Sequence, residues 1–207
     1  MSRAFADLAF TPTVRALQSE LGSRELYASL DTVADRRDAL TPREGTFIAS
    51  LDGFAQASVG ETGWPYVQHR GGPPGFLKVL DPKTLGYADF RGNVQYVSAG
   101  NLRRNDRVAM LLIDHAKRRR LKILGHARLV TAAENPELVA RVTLPEYDAV
   151  VERAVIITVA AYDWNCPQHI TPRFTAAEVE AAIAPLRAEL ALLHADVARL
   201  RGETPPA

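Results

Sequence analysis

The chain has a single cysteine, Cys166, among 207 residues. No intrachain disulfide can therefore form, and every cysteine-rich zinc or iron–sulfur arrangement is excluded. Net charge is nearly absent. The 25 Lys and Arg residues are balanced by 24 Asp and Glu, leaving +1, which excludes a generally basic nucleic-acid binder but not a local cationic site. No window approaches about 18 uninterrupted apolar residues, and the start, MSRAFADLAFTPTVRALQ, holds no apolar run long enough for a leader. The phosphate loops G-x-G-x-x-G and G-x-x-x-x-G-K-[ST] are also missing. These absences predict a cytoplasmic, reduced protein with no membrane and no nucleic-acid partner. With 47% hydrophobic and 24% charged residues, the remainder reads as an ordinary globular chain. At this length it buries about 70% of its unfolded surface and needs no structural metal.

Helix signals occupy residues 1–52. Thr11-Pro12 reads as an N-cap followed by proline at the first helical position, with Gly22 as the stop. Thr41-Pro42-Arg43-Glu44 is a capping box ahead of the apolar run Phe47 to Leu51, in a helix expected to end near Asp52-Gly53. From Gly53 the period shifts toward two. Phe54 to Val59 and Tyr66 to His69 flank Gly60-Glu61-Thr62-Gly63, a hairpin. Further strands are predicted at Phe76–Leu80, Asn93–Ser98, Val108–Ile113, Leu121–Val130 and Val155–Tyr162, with a short helix at Ala133–Arg141. The all-apolar Val108–Ile113 run predicts a strand covered on both sides. Loops too short for helical crossovers argue an antiparallel barrel.

Residues 176–201 form the clearest helix. Val179, Ile183, Leu186, Leu190, Leu193, Val197 and Leu200 follow heptad spacing, with Pro185 inside. Packing on the chain's own barrel and contact with another subunit both remain open. The chain is expected to be one domain over 1–207: helical flank 1–52, barrel 53–173, C-terminal helix 176–201, and a frayed Pro205-Pro206 tail.

Three groups carry chemistry. His69-Arg70, the loop Gly71 to Gly75, and Lys78 combine close-approach glycines with cations, which suits an anion held by backbone N–H groups and charged donors. Asn93, Gln95, Ser98 and Asn101 can each donate and accept, as a polyol or heterocycle requires. Five cations crowd residues 117–122, a predicted hairpin tip from which Arg120 and Lys122 could turn inward to an anion. Cys166 and His169 read as part of an ordered loop rather than a nucleophile or metal site.

Several of these segments resemble the pyridoxamine-phosphate-oxidase-like, FMN-binding split-barrel superfamily, and its predicted flavin-nucleotide-binding branch above all. The resemblance is carried by Thr41 to Glu44, Pro65-Tyr66-Val67, Arg70 to Asp81, Gly92-Asn93, Gly100-Asn101-Leu102 and Leu121 to Ala127. It implies a mainly β (α+β) fold, an antiparallel six-stranded split barrel, and a homodimer with FMN at the subunit interface. It further implies FMN-dependent oxidoreductase activity on an unidentified small molecule, with non-catalytic binding or sensing of flavin, haem or a deazaflavin as the alternative. Lys78 with Val79, and Ser98 with Asn101, would face the phosphate and ribityl, joined by His69, Arg70 and Asn93. Gln95, Arg120 and Lys122 are weaker candidates for the ring edge. Val94 stands where many relatives carry a cation. The heptad helix at the C-terminus argues against pyridoxine phosphate oxidation itself.

Overall fold

The computed structural model describes residues 1–202, with Asn165 known by its backbone alone; Pro205 and Pro206 lie outside the described residues. The chain divides into two compact units, one of residues 1–114 with 119–168, the other of residues 115–118 with the segment from His169 onward.

The first unit opens with α1 (Arg3–Ala9), α2 (Pro12–Glu20), a 3-10 helix (Arg24–Asp31) and α3 (Pro42–Ala49). The caps lie where the sequence places them. Thr11 Oγ1 accepts from Val14 N at 3.4 Å, Gly22 takes φ +74°, and Thr41 and Glu44 form the reciprocal box. The strands are β1 (Gly53–Val59), β2 (Pro65–Gly71), β3 (Lys78–Asp81), β4 (Thr84–Phe90), β5 (Arg107–Asp114), β6 (Arg119–Val130) and β7 (Val151–Asn165). α4 (Val97–Leu102) follows β4, and α5 (Pro136–Val142) links β6 to β7.

All pairings are antiparallel, in the order β2-β1-β5-β6-β7-β4-β3. The sheet curls on itself: Phe54 on β1 meets Tyr87 on β4, ring centroids 5.4 Å apart, although three strands separate them in the sheet. Phe47, Leu85, Leu112, Leu121, Ile123 and Ile157 fill the interior. Curvature is helped by a bulge between Leu124 and Gly125. A Cβ on Gly125 would sit 2.6 Å from the Thr158 carbonyl oxygen, so only glycine allows this approach.

Three expectations are corrected. The sheet has seven strands, not six. The additional strand is β4, whose run is broken by Gly86 and Asp89 and so lacks a clear alternation. Residues 93–98 are not a strand. Val94 and Tyr96 take φ +56° and +55°, and Val97 starts α4; left-handed residues end strand pairing. β5 is not covered on both faces: Val108, Met110 and Leu112 are buried, whereas Ala109 and Leu111 face an open groove.

The second unit contains α6 (Ala176–Arg201), capped by Thr175 with Glu178 at its start and by left-handed Gly202 at its end. Pro185 lies inside the helix without ending it. No described helix is long and apolar enough to cross a membrane.

Candidate functional site

β2 sorts its side chains by parity. Tyr66, Gln68 and Arg70 are half-buried on one face, and Val67 and His69 are exposed on the other. The first face, the end of β4, the 92–96 loop and the start of α4 enclose a polar cleft. Arg70 Nη1 donates to Asp89 Oδ1 at 2.8 Å, and Arg153 Nε lies 3.3 Å from Asp89 Oδ2. Glu152 extends the chain of charges: it meets Arg153 Nη2 at 2.6 Å, Arg91 Nε at 3.0 Å and the Tyr96 hydroxyl at 3.0 Å. Three guanidinium groups thus face two carboxylates. Burial pushes the Asp89 carboxyl above its ordinary value despite the neighbouring arginines. Glu152 is held below its ordinary value, chiefly by its bond from Arg91, and the same carboxylate raises the Tyr96 phenol.

Above this charged wall, Ser98 Oγ donates to Gln68 Oε1 at 3.0 Å, and Asn93 Oδ1 accepts from the Gln95 backbone N–H at 3.3 Å. Two left-handed residues in the 92–96 loop, Val94 and Tyr96, hold the cleft rim in a conformation that costs about 1–3 kcal/mol at each.

Of the residues nominated from sequence, Arg70, Asn93, Gln95 and Ser98 line this cleft together. The others lie elsewhere. His69 lies on the far face of β2 against glycine backbone, where a Cβ on Gly53 would be 2.5 Å from its Nε2. Lys78 Nζ donates to the carbonyls of Arg141 and Thr143, at 2.8 and 3.1 Å, at the C-terminus of α5. Val79 sits on the β3 edge, paired with Leu85. Asn101 Nδ2 donates to Ser58 Oγ at 3.0 Å, tying α4 to β1. Arg120 Nη2 reaches the Cys166 carbonyl at 3.2 Å. Lys122 Nζ pairs with Asp163 at 3.1 Å and lies 4.6 Å from the Phe5 ring centre.

Two N–H groups of the glycine–proline loop are engaged by the chain itself: Gly72 N–H donates to the Asp52 carbonyl and Phe76 N–H to that of Pro73, both at 3.0 Å. Those two donors are not free for an anion. Sequence reasoning missed Gln68, Asp89, Glu152 and Arg153. Asp89, a carboxylate inside the apolar run Leu85 to Phe90, was the available signal, because a buried charge calls for a partner.

A second surface is apolar. Ala55 and Ala57 of β1, Val67 of β2, Ala109 and Leu111 of β5 and Leu124 of β6 line a groove of about 330 Å³, with Phe5 and Lys122 at it.

Residues 40–165 match the family described as pyridoxamine 5'-phosphate oxidase. The chain belongs to the pyridoxamine 5'-phosphate oxidase family. The match runs from just before α3 to the end of β7 and so includes the whole polar cleft. The family fold also appears among solved structures. HupZ from Group A Streptococcus is similar at TM-score 0.50 and 16% identity, over 65% of this chain and 99% of that one. An FMN-binding protein from Syntrophomonas wolfei is similar at TM-score 0.43 and 14% identity, over 74% and 95%. No curated protein matches the chain.

Proposed function

We propose that the chain binds FMN and acts, as a cytoplasmic homodimer, as an FMN-dependent oxidoreductase on a small molecule. The observation that carries this reading is the convergence of Arg70, Asn93, Gln95 and Ser98 on one cleft inside the segment that matches the family. The donor set fits the group. A guanidinium carries five N–H donors, Asp89 takes one from Arg70, and Arg70 Nε is buried with no hydrogen-bond partner. That surplus suits a phosphate, while Asn93, Gln95 and Ser98 suit ribityl hydroxyls. Bound FMN would supply electron and hydride transfer at its isoalloxazine ring.

The cleft in one chain holds about 60 Å³, far less than the roughly 300–1,000 Å³ of pockets that enclose an organic ligand. A second subunit seated on the apolar groove, on the opposite face of β2, would bring further walls from its own residues. Two of the three Lys78 donors are engaged at the C-terminal end of α5, and we do not assign it to the phosphate.

Both carboxylates of the cleft are held by arginines, so neither is free to act as an acid or base. That observation keeps non-catalytic flavin binding as the second reading. Purified protein should show the visible absorption of an oxidised flavin, and denaturation should release FMN identifiable by chromatography. A colourless protein that takes up no added FMN would overturn the proposal. Turnover of a reduced flavin with oxygen or candidate acceptors then divides enzyme from carrier.

A further inference from the structure

The seam side chains of α6 are exposed: Leu186 is 63% exposed, Leu190 52%, Leu193 54% and Leu200 82%. An apolar stripe of this length on a 26-residue helix needs a cover. We propose that α6 pairs with α6 of a second copy of the chain in a parallel, in-register two-stranded coiled coil.

The seam chemistry selects this occupant. With Val179, Leu186, Leu193 and Leu200 at d, the a positions hold Ile183, Leu190 and Val197. β-Branched residues at a, here Ile183 and Val197, with leucine at d favour two parallel strands. The flanking charges select the same orientation. Positions g carry Glu189 and Asp196, and positions e carry Glu180, Arg187, His194 and Arg201. In a parallel pair each g residue faces the e residue five positions on in the partner, so Asp196 meets Arg201, opposite in sign, and Glu189 meets the His194 imidazole, which can donate to it. In an antiparallel pair e faces e and g faces g, and the g positions then set Glu189 against Asp196, acid against acid. Within the helix, Asp196 is held by Arg199 at 3.0 Å and Arg187 pairs with Glu180. These exposed contacts are weak and compete little with pairing across the seam.

Pro185 falls at c, on the outer side of the helix, where its ring does not enter the seam. The capping box at Thr175 and the left-handed Gly202 bracket the repeat.

The test uses the full chain in a Cys166→Ser background. Leu186→Cys and Leu200→Cys are introduced singly, with Ala188→Cys at the outer f position as control. The two seam sites are about 21 Å apart along the helix, so only a parallel, in-register pair brings each against its own copy. Under mild oxidation, disulfide-linked dimers are expected from both seam variants and not from Ala188→Cys. Cross-linking at one seam site only, or at neither, overturns the proposal. Sedimentation of the Leu190→Glu/Leu193→Glu variant separates this from the barrel homodimer. A dimeric mass with no seam cross-link overturns the coiled coil and leaves the barrel pairing. Cross-links at both sites support the coiled coil: a double variant that stays dimeric then shows that the barrels pair as well, and a monomeric one removes the barrel pairing.

Discussion

Arg70 and Lys78 carry the same charge and flank the same loop, yet they meet different partners. Arg70 lies on the inward parity of β2 and stacks beside Asp89 at the cleft, whereas Lys78 begins β3 and satisfies two carbonyls at the C-terminal end of α5. A cation there complements the helix dipole and the unpaired carbonyls. Arg70→Ala should therefore weaken FMN binding by about 10–100-fold, the loss of one charge-assisted contact worth about 1.5–3 kcal/mol. Lys78→Met should leave FMN affinity within about twofold and lower stability by about 1 kcal/mol. Fluorescence titration and urea unfolding on both variants check this, and the reverse pattern would return Lys78 to the phosphate.

At the scale of the element, α3 shows how a local motif acquires a tertiary role. Glu44 closes the box with Thr41, and its Oε1 also accepts from Trp164 Nε1 at 2.6 Å, from the end of β7. Arg43 and Arg119 guanidinium groups each lie 4.7 Å from the Trp164 ring centre. Burial would raise the Glu44 carboxyl, but the bonds from Thr41 and Trp164 outweigh it and hold the group below its ordinary 4.5. The sign follows from proton counting. The unfolded chain takes up the Glu44 proton first, so this contribution is present above about pH 4.5 and is lost as pH falls through the lower folded value. Glu44→Gln should cost about 1–2 kcal/mol at neutral pH and flatten the acid limb of stability. Urea unfolding at a series of pH values, followed by Trp164 fluorescence, measures both. An unchanged acid limb would show that other carboxylates carry it.

For the whole molecule, the groove along β1, β2, β5 and β6 decides how binding and assembly are linked. If a second subunit completes the flavin site, FMN affinity must depend on protein concentration, because only the dimer binds well. Ala57→Arg places a cation in the groove, away from the Arg70 cleft. In the Leu190→Glu/Leu193→Glu background, where α6 cannot hold two copies together, it should shift the mass toward monomer and reduce FMN binding by tenfold or more at low protein concentration, with recovery as concentration rises. Binding that is independent of concentration and of this substitution would place the whole site within one chain.

Local features were legible before any fold was drawn: the caps at Thr11 and Thr41, the hairpin around Gly60 to Gly63, the alternation of β6 and the heptads of α6. Each rests on contacts between residues near in sequence, where spacing alone sets geometry. The antiparallel barrel class and the family were legible too, from short loops and from motifs within 41–127. The strand β4 was not, because Gly86 and Asp89 break its pattern and it is pairing with β7 and β3 that stabilises it. Nor was the fate of each cation. Whether Arg70, Lys78, Arg120 or Lys122 serves a ligand depends on which carbonyl or carboxylate lies opposite, and those partners, Asp89, Arg141, Cys166 and Asp163, come from strands and helices distant in the chain. Sequence alone determined which elements form and what donors the protein owns. Tertiary structure decided which donors remain to spend, because a charge brought out of water takes the nearest partner the fold presents.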